Sequence, residues 1–198
     1  MNRERQTSLW DIYHEYERDP AFNNIKAHDA PKRLVPGRGS MSPCVVFVGE
    51  APGRNESEQR RPFVGAAGRV LDQILRRIDL PRSEIFITNL VKYRPTVGTH
   101  TVRNRTPNTA EITASRPYVI REIEVFDPGT PVIVLGGVAL RGMWPDGRER
   151  ISAMAGRGWY DADRAYGVLR HPAVACYDPG ALAGMLDDAT AVWDVLGH

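Results

Sequence analysis

The sequence predicts an α/β fold, in which a central parallel sheet of four strands is flanked by helices. Short, continuously apolar runs such as CVVFV and PVIVLG are typical of strands buried on both faces. Segments with apolar residues at helical spacing alternate with these runs. With 198 residues, 42% of them hydrophobic, we expect a single domain over 1–198. It would comprise an N-terminal helix and irregular segment at 1–43 and an α/β core at 44–198.

The first part of the chain predicts two helices and one strand. SLWDIYHEYER, residues 8–18, indicates an amphipathic helix with Ser8 as its cap. Residues 20–43 are rich in proline, glycine and basic residues and predict irregular chain. CVVFV, from Cys44, is the first strand, and GAAGRVLDQILRRIDL is the helix after it. The apolar stripe of that helix consists of Val70, Leu71, Ile74, Leu75 and Ile78.

The middle of the chain predicts a strand, a loop and a capped helix. EIFITNLV, from Glu84, is the second strand, and the polar segment KYRPTVGTHTVRNRTPN is a loop. Asn108 and Glu111 match a capping box that opens a helix running to about Phe126. Pro117 lies within this helix and is expected to kink or split it, because proline lacks the backbone N–H.

The last part predicts two more strands and a terminal helix. PVIVLG is the third strand, and GVALRGMW is a short helix. Residues 151–170 alternate with glycines and predict a hairpin, in which YGVLR is the last strand. Asp178 and Pro179 cap the terminal helix. Its apolar stripe consists of Leu182, Met185, Leu186, Ala189, Val192, Trp193 and Leu196.

Unusual residues follow the carboxyl ends of the predicted strands, where open α/β sheets bind ligands. GEAPG follows strand one, TNLVKYRP follows strand two and RHPA follows strand four. Glu50 can orient water or stabilise a developing cation. Asn89 offers a donor and an acceptor, which suits a pyrimidine edge, and a neutral His171 can donate to a developing oxyanion. Phe63, in a loop between glycines, can stack on a planar ligand.

Each of these residues also has an ordinary structural interpretation. Glu50 can cap the next turn, Phe63 can belong to a satellite of the core, and Asn89 can bond the backbone at a strand end. His171 precedes a proline, and such pairs occur by chance. The joint position of the four residues at strand ends favours the functional interpretation.

Basic residues lie close in sequence to these positions and can contact the phosphates of a nucleic acid. The formal net charge of +2 by itself says little about partners. The basic candidates are Arg54, Arg60, Arg61, Lys92, Arg94, Arg103, Arg105 and Arg170.

The cysteines and the apolar runs predict a cytoplasmic protein. Cys44 and Cys176 are far apart and lack the spacing of metal ligands, which favours reduced thiols and no metal site. No apolar run reaches the roughly 20 residues that a membrane span needs. The segment MNRERQTSLW lacks the apolar core of a secretory signal.

Five stretches, GEAPG, RPFVGAAGRVLD, TNLVKYRP, NRTPN and RHPA, resemble in order and spacing the uracil-DNA glycosylase superfamily, and most closely its family 4. The similarity runs from about Leu34 to Pro172. It implies a three-layer α/β fold and a monomeric, monofunctional glycosylase that acts on DNA. Such an enzyme flips a pyrimidine out of the stack, hydrolyses its N-glycosidic bond and leaves an abasic site.

The resemblance also implies roles for individual residues. Glu50 lies in the water-activating motif, and His171 stabilises negative charge on the pyrimidine O2. Ala51, Phe63 and Asn89 bind the base, Phe63 by stacking and Asn89 by reading the Watson–Crick edge. The DNA-facing loop comprises Arg94–Pro95 and Asn104–Pro107, and the residues after His171 probe the minor groove.

One departure from the family concerns a cofactor. Family 4 members commonly hold a four-iron cluster on four cysteines, and this sequence has none of the four. The first pair would fall near Asn24–Ala27, and the other two at Tyr93 and Ser115. We therefore expect no iron–sulfur cluster and no other cofactor. Packing around Tyr93 and the N-terminal helix would take over the cluster's structural role.

Two further departures concern the substrate. Arg60 and Arg61 stand where the family has a small residue before PFVG, which suggests altered contacts with the base. The loop after KYRP is longer and contains His100. A branch of the superfamily bonds a loop histidine to the abasic sugar, but that position is Asn104 here, so trapping by His100 is not favoured.

The sequence therefore predicts a DNA glycosylase and leaves its base open. Uracil is the default, and a modified pyrimidine of viral DNA is the rival, so that the role is either repair or defence against phage. From a different class, a catalytically silent module that binds lesions or abasic sites is the alternative. Glu50, Asn89 and His171 together argue against it. A nucleoside hydrolase is a third, weaker alternative.

Overall fold

The computed structural model describes residues 1–23, 25, 33–98, 101–147, 150–161 and 163–197. Its strands are β1 (Arg38–Gly39), β2 (Val45–Gly49), β3 (Ile85–Asn89), β4 (Thr96–Val97), β5 (Arg103–Asn104), β6 (Val132–Leu135), β7 (Arg157–Asp161) and β8 (Arg164–Leu169). Its α-helices are α1 (Asn2–Arg18), α2 (Arg54–Gln59), α3 (Ala66–Arg77), α4 (Thr109–Glu124), α5 (Gly137–Met143), α6 (Ile151–Met154), α7 (Val174–Tyr177) and α8 (Ala181–Val195). Short 3-10 turns occur at Pro20–Phe22 and Arg82–Glu84.

The main sheet of the described chain has six strands in the order β1-β3-β2-β6-β8-β7. Strands β3, β2, β6 and β8 are parallel neighbours, whereas β1 and β7 run antiparallel at the two edges. The prediction of a parallel sheet with four strands was therefore wrong in strand number and orientation. β7 ends at Asp161 and β8 begins at Arg164, and so short a connection allows only antiparallel pairing. β1 arises from a segment that lacks a strand pattern.

The strand order places a topological switch point at β2. The chain passes from β2 to β3 on one side and later to β6 on the other, which leaves a crevice beyond the carboxyl ends of β2 and β6. In the register of the parallel pair, Gly49 at the end of β2 lies opposite Asn89 at the end of β3. The two predicted loops GEAPG and TNLVKYRP thus leave the sheet side by side.

Helices cover both faces of the sheet and give the molecule three layers. Side chains alternate along a strand, so Val46 and Val48 join the apolar cluster of α1 and α4, while Val45 and Phe47 join that of α3 and α8. The α/β class is therefore confirmed. Among the described residues, no helix is both long enough and apolar enough to span a bilayer.

The first helix begins six residues earlier than predicted. It starts after Met1, and Ser8 lies inside it, where its hydroxyl donates to the Glu4 carbonyl at 3.1 Å and caps nothing. Only one face of α1 packs against α4, and the buried residues of that face begin at Leu9. The helix residues before Ser8 are polar, so no apolar stripe marks them as helical. The prediction of a cap at Ser8 was therefore wrong.

The predicted stripes and the capping box agree with the structure. All five stripe residues of α3 are buried, and Asn108 and Glu111 form the reciprocal capping box. Helix α4 continues through Pro117 without being split, although the proline removes one backbone donor. The hairpin predicted at 151–170 is shorter, because residues Ile151–Met154 form α6 and only β7 and β8 pair.

Candidate active site

A cleft of about 530 Å³ opens beyond the carboxyl ends of the central strands. It brings together the loops after β2, β3 and β8 with the β4–β5 hairpin and the start of α3. The cleft is lined by Glu50, Ala51, Pro52, Gly53, Arg54, Asn55, Glu56, Phe63, Gly65, Ala66, Ala67, Asn89, Pro95, Asn104, Arg105, Thr106, His171, Ala173, Cys176 and Tyr177. The predicted catalytic and base-binding residues Glu50, Ala51, Phe63, Asn89 and His171 all belong to this lining.

The amide of Asn89 and the ring of Phe63 meet over Gly49. A Cβ atom on Gly49 would lie 2.5 Å from Asn89 Oδ1 and 2.7 Å from Phe63 Cζ, which real side chains do not tolerate. Glycine at the strand end is therefore what lets the ring and the amide approach each other. The pair offers a flat apolar surface beside a donor and an acceptor.

Phe63 has a backbone conformation that L-residues rarely adopt. Its φ of 52° lies in the left-handed region, and its side chain is only 5% exposed. Arg82 donates from Nη2 to the Phe63 carbonyl at 2.7 Å, and a Cβ on Gly68 would lie 2.0 Å from the same oxygen. Strained backbone persists where its surroundings over-determine it and is common at ligand sites. Phe63 is thus both a core residue and a wall of the cleft.

His171 has a fixed tautomer. Its Nδ1 accepts the backbone N–H of Ala173 at 3.1 Å, so in the neutral ring Nε2 carries the proton. Burial lowers the pKa of His171 to about 4, against the opposing charge of Glu56. The imidazole is therefore neutral at physiological pH and can act as a hydrogen-bond donor through Nε2.

Gly136, which follows β6, makes the space for His171. Its φ of 92° is unfavourable for other residues, and a Cβ there would lie 2.8 Å from the Cβ of His171. The imidazole faces Phe63, with ring centroids 5.8 Å apart and planes inclined by 30°. Gly136, just after β6 and beside the switch point, thus lets the His171 side chain pack closely against the backbone there.

Glu50 is a half-buried carboxylate at the mouth of β2. Burial raises the pKa of its carboxyl group above the ordinary value, and the charge of Arg141 on α5 opposes this. Its backbone carbonyl accepts the N–H of Val91 at 3.1 Å, which ties the GEAPG loop to the chain after β3. Arg141 was not predicted to act on Glu50, because nothing in the sequence marks a residue of α5 as a neighbour of the GEAPG loop.

Some of the predicted DNA-binding residues line the cleft or its rim. Arg54 and Asn104 are exposed lining residues, and Arg103 is exposed beside Asn104 on β5. Arg94 is largely buried and donates from Nε to Asn104 Oδ1 at 2.7 Å. Arg105 lines the cleft but also forms two bonds to Glu111, at 2.7 and 2.5 Å, so it braces the start of α4.

The prediction that Lys92 contacts DNA was wrong. Its side chain is completely buried, and its ammonium group donates to Thr88 Oγ1 at 2.7 Å and to the Asn89 carbonyl at 2.5 Å. It also forms a buried ion pair with Glu122 of α4. A buried charge requires such partners, and these partners leave none of the ammonium for a phosphate.

Three of the predicted DNA-binding arginines are not part of the cleft lining. Arg60 donates from Nε to the Leu34 carbonyl at 3.2 Å, Arg61 is exposed outside the lining, and Arg170 pairs with Asp188 of α8 at 3.5 Å. The expected placement of Arg60 and Arg61 beside the base pocket was therefore wrong. The loop turns at Arg60, whose φ is 52°.

Two further residues, which do line the cleft, were not predicted as site residues. Glu56 of α2 accepts two backbone N–H groups of the Phe63 loop, and Tyr177 of α7 is 89% exposed at the cleft mouth. In the sequence, Glu56 looks like an ordinary helix residue. Tyr177 falls only under the general expectation that the residues after His171 probe the minor groove. His100 lies outside the described residues.

The expected cysteine positions that the structure describes do not fit an iron–sulfur cluster. Tyr93 and Ser115 flank Tyr16 of α1, whose hydroxyl bonds Ser115 Oγ at 2.8 Å and whose ring centroid lies 5.6 Å from that of Tyr93. Phe22 stacks on Tyr16 with centroids 3.9 Å apart. Rings therefore fill the space, and a phenol and a hydroxyl stand where thiolates would ligate iron. In the described ranges, no group of three or more Cys, His, Asp or Glu side chains could hold a metal.

Comparisons with known proteins agree with this architecture. The family model described as uracil DNA glycosylase superfamily matches residues 36–196. A Type-4 uracil-DNA glycosylase of Pyrobaculum aerophilum is 44% identical over 116 residues, which are 59% of this chain and 56% of that protein. Proteins of the same name from Sulfurisphaera tokodaii and Saccharolobus solfataricus are 39% and 35% identical. Those matches cover 73% and 83% of this chain, and 66% and 77% of the two relatives.

Proposed function

Because the chain belongs to the uracil-DNA glycosylase superfamily, we propose that it is a monofunctional DNA glycosylase that excises uracil and leaves an abasic site. The relatives carry uracil-DNA glycosylase as their names, and the matches span between 56% and 77% of their lengths. The observation that carries the proposal is the convergence of Glu50, Phe63, Asn89 and His171 in one cleft at the strand ends. Such a cleft suits a base that has left the stack.

The base is held by Phe63 and Asn89. Uracil presents an acceptor at O4 beside a donor at N3, and the amide of Asn89 offers the complementary pair. The ring of Phe63 supplies a stacking surface, which favours every flat base, so selection falls to the amide. Ala51 is also part of the lining, and its small side chain leaves room for the ring.

The reaction separates charge. The cleft provides one group that stabilises the negative charge on the base and one that stabilises the positive charge on the sugar. As the bond between C1′ and N1 breaks, its electron pair moves into the base, and O2 accepts a hydrogen bond from Nε2–H of His171. The Glu50 carboxylate faces the cationic sugar and orients the water that adds to C1′. A proton of that water passes to the carboxylate and then to solvent. The departing base anion takes up a proton from solvent, so that neutral base and abasic DNA are the two products.

Two features motivate a modified pyrimidine, the missing cluster cysteines and the arginine pair; we prefer uracil because the relatives are named for it and because the second motive has lost its support. The arginine pair Arg60 and Arg61 suggested altered base contacts, yet neither residue lines the cleft. Repair of deaminated cytosine is accordingly the proposed role. Defence against modified phage DNA is the rival that the substrate test addresses.

An excision panel tests the proposal. Oligonucleotides, duplex and single-stranded, would carry one uracil, hypoxanthine, 5-hydroxymethyluracil or phage-modified cytosine, and released base would be quantified by chromatography. Fastest release of uracil is expected. Release of a modified base in preference would move the function to defence. Absence of release from every substrate, with tight binding to abasic DNA, would instead establish a silent module.

Activity should fall on the acid side as Glu50 takes up a proton. The reaction needs the carboxylate, and its raised pKa places the midpoint of this loss above the ordinary value of 4.5. His171, with a pKa of about 4, stays neutral through that range and adds a second loss only at lower pH. Single-turnover rates on uracil DNA from pH 4 to 8 would measure the first loss of activity and the beginning of the second.

The variant Glu50→Gln assigns the acid limb. It should be slow at every pH and lack the first loss, because its amide does not titrate. An unchanged acid limb in Glu50→Gln would show that another group controls the profile.

Tyr177 should fill the gap that the flipped base leaves in duplex DNA. Its ring is 89% exposed at the cleft mouth, and stacking of an aromatic side chain on a base contributes about 1–3 kcal/mol. We expect Tyr177→Ala to lower kcat/KM on duplex uracil DNA by about tenfold. Single-stranded DNA, which has no gap to fill, should be affected less.

Tyr160→Ala is the matched control for this substitution. That tyrosine is 66% exposed on β7 and lies outside the cleft lining. Equal effects of the two substitutions, or equal losses of Tyr177→Ala on both DNA forms, would contradict the assignment.

A further inference from the structure

Glu56 joins the two loops that shape the cleft. It lies in the first turn of α2, directly after the GEAPG loop, and its Oε1 accepts the backbone N–H groups of Val64 at 3.0 Å and of Gly65 at 2.7 Å. These are the two amides that follow Phe63. The carboxylate is also part of the cleft lining, between the loops rather than on the outer surface.

Two glycines provide the space for this carboxylate. A Cβ on Gly53 would lie 2.7 Å from Glu56 Oε2, and a Cβ on Gly65 would lie 3.0 Å from Oε1. Both glycines lie in the two loops that Glu56 connects, GEAPG and PFVG. The two glycines thus leave room for the Glu56 carboxylate between the loops.

Phe63 is held from both sides of its strained peptide. Arg82 donates to its carbonyl at 2.7 Å, while Glu56 accepts from the next two amides. Arg82 is in turn fixed by Asp72 at 2.7 Å. The peptide unit between Phe63 and Val64, next to the left-handed φ of 52° at Phe63, is therefore bonded by a cation at its oxygen and by an anion at its N–H.

We propose that Glu56 is a positioning residue for base recognition, which holds the Phe63 ring in place so that it can stack on the flipped base. The proposal rests on the proposed function of the cleft. Glu56 acts through Phe63 and touches neither the base nor the sugar. The Phe63 loop depends on the position of the Glu56 oxygen, since both bonds come from backbone amides, whereas the charge of Glu56 acts separately by opposing the lowered pKa of His171.

Three substitutions separate geometry from charge. Glu56→Gln keeps an acceptor oxygen at the same reach and removes the charge, whereas Glu56→Asp keeps the charge and withdraws the oxygen by one carbon. Glu56→Ala removes both. Glu58→Gln is the control, because Glu58 lies on the same helix and pairs with Arg54 at the surface.

The first readout is amide hydrogen exchange over residues 62–66, followed by mass spectrometry. We expect exchange of this segment to accelerate by at least about tenfold in the Asp and Ala variants, and little in Glu56→Gln and Glu58→Gln. This readout needs no catalytic activity. It therefore remains informative if the wild type excises no base, in which case the proposed function fails and the positioning of the loop is judged separately.

The second readout is coupling to Phe63 in uracil excision. Glu56→Asp should lower kcat/KM by about tenfold, the loss expected for a displaced stacking ring. In the Phe63→Ala background the same substitution should have almost no further effect, because the two residues act as one unit. Unchanged exchange in Glu56→Asp, additive losses in the double variant, or a Glu56→Gln variant as slow as Glu56→Asp would each overturn the proposal.

Discussion

Replacing His171 by alanine should lower the single-turnover rate of uracil excision by about 10²–10³-fold, the typical loss when one donor to a developing oxyanion is removed. The Ala173 amide donates to Nδ1 of the imidazole, and the absence of a side chain on Gly136 makes room for His171. The Nε2–H is therefore already aligned before the base arrives. Little reorganisation accompanies bond breakage. The loss should therefore appear in kcat rather than in the affinity for DNA.

His14→Ala is the matched control, since His14 is an exposed residue of α1 far from the cleft lining. Rates would be measured with enzyme in excess over a uracil oligonucleotide, and affinity by fluorescence anisotropy. A His171→Ala variant that retains a third or more of the wild-type rate would show that another group stabilises the departing base.

The second large effect concerns stability. Lys92→Met should lower the free energy of unfolding by about 3–5 kcal/mol, because it leaves the Glu122 carboxylate buried without its cation. Tyr13 and Thr88 donate to that carboxylate but supply no compensating charge. Urea denaturation followed by circular dichroism would measure the loss.

Two comparison variants test whether the loss of stability arises from the unpaired buried charge. Arg121→Met breaks the exposed pair with Glu15 and should cost no more than about 1 kcal/mol. The double variant Lys92→Met/Glu122→Leu should recover part of the loss, because it removes both buried charges. Equal costs for the buried and exposed pairs would contradict the assignment of Lys92 to the core.

The position of the cleft could be predicted because it depends on local rules. Apolar runs mark the buried strands, parallel strands end at one edge, and Glu50, Asn89 and His171 follow those ends directly. Their convergence needs only the strand order. The edge strand β1 could not be predicted in the same way, because it is two residues long and its pairing with β3 is decided by tertiary contact.

The errors in the site share one physical cause, which is that burial depends on distant partners. Lys92 looked like a phosphate ligand because Glu122, its counter-ion, lies thirty positions away on helix α4. Arg60 looked like a base contact because the turn at its own φ of 52° is invisible in the sequence. Glu56 escaped notice for the same reason, since the amides it binds belong to a different loop.

The tyrosines of α1 have a consequence for the growing polypeptide on the ribosome. Tyr16 bonds Ser115 across 99 positions, and Tyr13 bonds Glu122 across 109. Helix α1 is made first, yet its partners emerge only after α4 has been synthesised. At about 5–20 residues per second this wait lasts on the order of 5–20 s. During that time Asn89 also lacks the Lys92–Glu122 pair behind it, so a nascent chain should acquire its base pocket only once α4 has left the exit tunnel.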